Sequence, residues 1–210
     1  MNVVVFDLDD TLYKEVDYVK SAFCFIAGKL NCPKAIDILW RSFQRGDNAF
    51  ENCNRELNLS ISLPQYLEWY RYHEPSIILE KSVISFLDFL KNSGCILGII
   101  TDGRAKTQMN KFEALNLSRW IKREDVIISE TFGSSKPSEA NYRYFMDRFG
   151  DDNTFFYIGD NLEKDFLAPN RLKWETICLL DDGRNIHKQN FNKKIEFLPK
   201  RCIRDFSNVF

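Results

Sequence analysis

Val3-Val4-Val5-Phe6-Asp7-Leu8-Asp9-Asp10-Thr11-Leu12-Tyr13 is an apolar, β-branched run that ends abruptly in carboxylates. Such a run, bounded by polar residues, reads as a fully buried parallel strand. In an open α/β sheet, chemistry gathers just beyond the carboxyl ends of the strands. Asp7 and Asp9 fall at that place, and strand alternation aims both the same way and Leu8 the other. Two converging acids repel each other; they persist best around a divalent cation, or with one of them protonated. Taken alone, Asp9-Asp10-Thr11 also reads as a turn or a helix N-cap, so the choice falls to the rest of the chain.

The 210 residues fit one large domain or a core with a modest insertion. Hydrophobic residues make up 44%, with 18 Phe, which is ample for a packed core and argues against disorder. The net charge of -1 gives no global electrostatic reason to bind nucleic acid or an anionic membrane. The six cysteines form no C-x-x-C pair, which points away from zinc ribbons and thioredoxin-type motifs. Cys95 and Cys178 sit in apolar runs, where a free thiol packs as a small core residue. The first residues have no basic n-region, and no stretch is long enough to span a bilayer. A reduced, cytoplasmic protein is the expectation.

Residues 14–79 read as helices throughout. Val16, Val19, Ala22, Phe23, Ile26, Ala27 and Leu30 recur at helical spacing, and further helices are expected before Gly46, over Ala49 to Leu57, and from Leu63 towards Tyr72. From Val83 onward, apolar strands alternate with helices: Cys95 to Ile100, Val126 to Ile128, Phe155 to Ile158 and Thr176 to Leu180. Helices are expected from Gln108 to Leu117 and from Ser138 to Phe149. This alternation predicts a doubly wound parallel α/β sheet. The core comprises residues 1–13 and 80–210, and an α-helical domain over 14–79 is inserted into it.

Four of the strands lead to residues with distinct chemistry: Asp7 and Asp9 after the first, Thr101 after the second, Lys136 after the third and Asp160 after the fourth. Parallel strands place all of these on one edge. Together they offer a carboxylate nucleophile, an acid, a hydroxyl and an ammonium for phosphate oxygens, and a second carboxylate for a metal.

The segments Phe6-Asp7-Leu8-Asp9-Asp10-Thr11-Leu12-Tyr13, Ile99-Ile100-Thr101-Asp102-Gly103, Lys136-Pro137 and Ile158-Gly159-Asp160-Asn161-Leu162-Glu163-Lys164-Asp165 occur in that order. In them the chain resembles phosphatases of the haloacid dehalogenase (HAD) superfamily, and the helical insertion stands where that family carries its C1-type cap. The resemblance implies that Asp7 attacks phosphorus to form an aspartyl-phosphate. Asp9 would protonate the leaving alcohol and then deprotonate the hydrolytic water. Thr101 and the amides of Asp102 and Gly103 would hold phosphate oxygens, with Lys136 neutralising charge and keeping Asp7 ionised. Mg²⁺ would be bound by Asp7, the main-chain carbonyl of Asp9, and Asp160. Asp165 would partner either the metal or Lys136. Dehalogenases of the superfamily lack an acid at the place of Asp9, which argues against that activity.

The implied reaction is hydrolysis of a small phosphate monoester, a sugar phosphate or a nucleoside monophosphate. The segment Thr101-Asp102-Gly103-Arg104 followed by Gln108 and Lys111, and Tyr70-Arg71-Tyr72-His73-Glu74-Pro75, resemble capped phosphatases assigned to those substrates. Two alternatives share the residues: a phosphomutase of the β-phosphoglucomutase type, and a non-catalytic binding protein that retains the fold. His73 is expected in a surface or packing role, and Trp40 and Trp69 in the core. Oligomeric state has no signature in the sequence.

Overall fold

The computed structural model describes residues 1–208. The chain divides into two compact units, one of residues 1–15 with 78 onward, the other of 16–77. The first unit is built on a six-stranded sheet of β1 (Asn2–Phe6), β2 (Ile96–Thr101), β3 (Val126–Ile128), β4 (Thr154–Gly159), β5 (Glu175–Leu179) and β6 (Arg201–Ile203). The spatial order is β3-β2-β1-β4-β5-β6, and every pairing is parallel. The parallel doubly wound core is therefore as expected. β6 is an addition: Arg201-Cys202-Ile203 has no apolar run, and it forms as a short edge strand against β5.

Val3, Val4, Val5 and Phe6 are wholly buried because β1 is central and both sheet faces are covered. Val3 and Val5 join Tyr142, Phe145, Tyr157 and Trp174 in one core. On the other side Phe6 meets Phe86 edge to face at 6.3 Å. Phe86 lies on α5 (Lys81–Asn92), and Phe145 on α8 (Glu139–Phe149). Gly98 of β2 lets that helix come close, since a Cβ there would lie 2.3 Å from the Phe145 ring.

The chain runs outward from β1 through β2 to β3, then returns to β4 on the opposite side of β1. The direction of travel thus reverses between β1 and β4, where open α/β sheets form their binding crevice. α6 (Ala105–Ala114) follows β2, the short α7 (Ser129–Phe132) follows β3, and α9 (Leu167–Arg171) follows β4. Among the described residues, no helix is long and apolar enough to cross a membrane.

The second unit holds α1 (Glu15–Lys29, its first residue belonging to the core), α2 (Lys34–Arg45), α3 (Ala49–Leu57) and α4 (Leu63–Tyr72). Asn48 and Ser62 accept the first free amides of α3 and α4, and Gly46 ends α2 at φ +74°. The interior is aromatic: Phe50 stacks on Tyr66 at 4.9 Å, and Tyr18 crosses Tyr70. His73 is buried among them, with its ring nitrogens on Tyr70 O (2.9 Å) and Ser21 Oγ (3.1 Å), a packing role.

Candidate active site

The backbone amide of Asp7 still donates to Ile158 O at 2.8 Å, so Asp7 continues the ladder of β1 by one residue beyond its end. Alternation carries its side chain to the Val3 and Val5 face. There Lys136, fully buried, donates to Asp7 Oδ1 at 2.6 Å and pairs with Asp165 Oδ1 at 2.8 Å. Asp165 Oδ2 accepts the amides of Asp160 (3.1 Å) and Asn161 (2.8 Å), which shapes the turn at the end of β4. Of the two partners open to Asp165 in the sequence, the one it contacts is Lys136. The carboxylate oxygens of Asp7, Asp160 and Asp165 lie within 4.8 Å of one another.

Asp9 occupies a separate cradle. Its Oδ1 accepts from Lys111 Nζ (2.7 Å) and the Tyr13 hydroxyl (2.5 Å), and its Oδ2 from Gln108 Nε2 (2.8 Å). Thr101, 1% exposed, accepts from the same Gln108 amide at 2.5 Å. α6 begins at Ala105, three residues before the expected start, and this puts Gln108 and Lys111 on its inner face. The sequence marks these two residues but gives them no role. The missing signal is their spacing with Phe112: i, i+3 and i+4 form one buried stripe, here partly polar.

The Asp102 carboxylate accepts the Lys136 amide (3.1 Å) and meets Lys164 Nζ (3.3 Å). The Gly103 amide, expected in the phosphate cradle, donates here to Ser129 Oγ at 3.0 Å. The loop after β5 supplies contacts that the sequence did not indicate. Asn185 Nδ2 donates to Asp160 Oδ2 (3.0 Å), and Gln189 Nε2 to Asp160 O (2.8 Å). Asp10, at φ +56°, closes this region by accepting the amides of Glu15 and Ile186, both at 2.9 Å.

These groups surround a polar cavity of about 110 Å³, lined by Asp7, Asp9, Thr101, Asp102 and Asp160, and also by Glu15, Lys164 and His187. Its electrostatics are unbalanced. Burial pushes Asp7 up to about 7, with Lys136 pulling against it and Asp165 adding to it. The Lys136 ammonium is divided between two carboxylates, so by itself it does not hold Asp7 in the ordinary carboxylate range. Burial and the charges of Asp7 and Asp165 push Asp160 up to about 9. Asp9 goes the other way. Burial would raise it, but Lys111, Tyr13 and Gln108 outweigh that and hold it below the usual value. An all-oxygen donor set carrying excess negative charge suits a hard divalent cation such as Mg²⁺. Asp7 and Asp160 could hold such an ion, whereas both oxygens of Asp165 are engaged by Lys136 and two amides.

The haloacid dehalogenase-like hydrolase family model matches residues 4–178. A glyceraldehyde 3-phosphate phosphatase of Methanocaldococcus jannaschii is 29% identical over 193 residues, covering 84% of each chain. The protein of the same name from Methanopyrus kandleri is 27% identical, covering 84% of this chain and 83% of its own. Among solved structures, the magnesium-bound HAD hydrolase YfnB of Bacillus subtilis superposes with a TM-score of 0.67 at 20% identity. That match covers 98% of this chain and 95% of YfnB.

Proposed function

The chain belongs to the haloacid dehalogenase-like hydrolases, and from that premise we propose that it is a Mg²⁺-dependent phosphatase of small sugar phosphates that works through an aspartyl-phosphate on Asp7. The observation that carries this reading is the meeting of Asp7, Asp9, Thr101 and Asp160 around one polar cavity at the switch point of the sheet, with Lys136 paired to Asp7. The relatives named for glyceraldehyde 3-phosphate make a triose phosphate the first substrate to test.

In the first half-reaction a carboxylate oxygen of Asp7 attacks phosphorus, and the bond from phosphorus to the ester oxygen breaks. Asp9, a carboxylate in the free protein, must take up a proton as the substrate binds, and it then gives that proton to the departing alkoxide. In the second half, Asp9 takes a proton from water as that water attacks phosphorus, and the bond between phosphorus and Asp7 breaks. Thr101 and the amide of Asp102 bind phosphate oxygens, and Lys136 offsets the charge that develops on them. Asp165 positions Lys136 and the 159–161 turn. Asp7, Asp160 and the main-chain carbonyl of Asp9 would hold Mg²⁺, which would supply charge neutralisation for the reaction. The helical residues 14–79 are read as the family's cap.

Phosphate release from glyceraldehyde 3-phosphate and a panel of phosphorylated sugars and nucleosides, with Mg²⁺ and after chelation, tests the proposal. We expect hydrolysis that chelation stops and that Asp7→Asn abolishes while the variant remains folded. Undiminished release by Asp7→Asn would overturn the mechanism, and absence of release across the panel would overturn the function.

A further inference from the structure

α6 buries polar groups where a helix against a sheet ordinarily buries apolar ones. Thr107, Gln108, Asn110 and Lys111 are all less than a tenth exposed. Buried amides and ammoniums are costly unless their hydrogen bonds are made, so the partners of this face identify its task. Gln108 Nε2 has two hydrogens, and it spends them on two different functional groups: Thr101 Oγ1 at 2.5 Å and Asp9 Oδ2 at 2.8 Å. Lys111 and Tyr13 take the other oxygen of Asp9.

A threonine hydroxyl has one proton and two lone pairs. Because Thr101 accepts from Gln108, its own proton remains available to a third group, and the cavity is on that side. The Gln108 amide is itself confined: a Cβ on Gly103 would lie 3.3 Å from Gln108 Cγ and Cδ, so the 101–103 turn packs directly over it. A residue that can only accept at position 108 would reverse the pattern. Thr101 would then donate to it, and no donor would face Asp9 Oδ2.

We infer that Gln108 is a positioning residue that couples the two halves of the site, turning the Thr101 proton toward phosphate while holding the Asp9 carboxylate, with Lys111 as a further partner of Asp9. The inference rests on the phosphatase reading above. It predicts different signatures for two neighbours on one helix. Losing the Gln108 donor weakens phosphate binding and slows turnover together. Losing Lys111 slows turnover and leaves phosphate binding in place.

The test uses the full chain with Mg²⁺ and inorganic phosphate as the probe. KM, kcat and the inhibition constant of phosphate are measured for wild type, Gln108→Glu, Gln108→Met, Lys111→Met, Thr101→Val and the Gln108→Met/Thr101→Val double variant. Thermal melting confirms that each variant is folded, and the Met variant serves if the Glu variant is not. We expect the phosphate inhibition constant to rise about tenfold in either Gln108 variant, the size of one hydrogen bond. It should stay within about twofold in Lys111→Met while kcat falls. The double variant should bind phosphate no more weakly than Thr101→Val, since the amide acts through that hydroxyl. Wild-type phosphate inhibition in the Gln108 variants, or fully additive losses in the double variant, overturns the inference and leaves the phosphatase reading standing. A wild-type protein that neither hydrolyses esters nor binds phosphate overturns both.

Discussion

Replacing Gly159 with alanine would place a methyl carbon 2.5 Å from Asp165 Oδ2, 2.9 Å from its Cγ and 3.1 Å from its Cβ. The backbone of Gly159 is not in the left-handed region, so the effect is steric. The lower unfolded-state entropy of alanine works in the opposite direction by less than about 1 kcal/mol. Ordinary contact begins near 3.4 Å, and the short Asp165 side chain must retreat by almost 1 Å. It cannot do so freely. Its oxygens hold Lys136 (2.8 Å) and the amides of Asp160 and Asn161, and its carbonyl accepts from Tyr142. Overpacking of this kind costs about 1–3 kcal/mol, and hydrogen bonds to a charged group contribute about 1.5–3 kcal/mol each. With one such bond lost and the rest strained, the expected destabilisation is about 3 kcal/mol. For a chain of this length that corresponds to a melting temperature lower by about 6–12 °C.

The same retreat moves Lys136 and the amide of Asp160, and a misplacement near 1 Å can cost about a hundredfold in rate. Thermal unfolding and phosphate release are measured on Gly159→Ala, Asp165→Ser and the double variant. If the clash is with the Asp165 carboxylate, serine at 165 relieves it, and the double variant is no less stable than Asp165→Ser alone. A Gly159→Ala protein that melts within 2 °C of wild type, or a double variant in which the two losses simply add, would refute the steric account.

Further expectations follow from the charge balance and the loop contacts. In metal-free protein, Asp7 at about 7 and Asp160 at about 9 lie above their unfolded value of 3.8, so between roughly pH 4 and 9 the native state binds more protons than the unfolded one. Stability is therefore lost as pH rises through that window, by up to about 1.4 kcal/mol per pH unit for each group. Excess Mg²⁺ should flatten the slope, and denaturant melts that show the same slope with and without the ion would count against the cation site. Asn185→Leu removes the donor to Asp160 Oδ2; the Mg²⁺ concentration giving half-maximal thermal stabilisation should rise about tenfold, and an unchanged midpoint would deny Asn185 that role. Gly98→Ala drives a methyl into the Phe145 ring at 2.3 Å and within 3.2 Å of Asp125 O. It should cost about 2 kcal/mol or more in urea unfolding with kcat of the folded fraction preserved, because Phe145 is not among the residues lining the cavity; a selective loss of kcat would contradict this.

The strand ends were readable because each is a local pattern: an apolar run, then a polar group, repeated in chain order. Parallel pairing then brings Asp7, Thr101, Lys136 and Asp160 to one edge without any further information. β6 was not readable, since Arg201-Cys202-Ile203 has no apolar period of its own and is a strand only because β5 offers it an edge. The Ser129 hydroxyl that meets the Gly103 amide is a different limit, since it lies twenty-six positions away and no local pattern pairs the two.

The contacts that decide how the site works lay further out of reach, for a physical reason. A buried polar residue and a solvated one look alike in a sequence, so Gln108 and Lys111 could be marked by resemblance but not given partners until the sheet is in place. Asn185 follows Asp181-Asp182-Gly183-Arg184 with no motif of its own, yet it reaches Asp160, twenty-five positions away. Gly159 is a further case: a glycine in a strand often marks a close approach, and a Cβ there would lie 2.5 Å from the Asp165 carboxylate. The absent Cβ is what admits Asp165 to Lys136. One omitted methyl group at the end of β4 therefore sets how the Lys136 ammonium is shared between Asp7 and Asp165, and with it how much negative charge is left for a cation to balance.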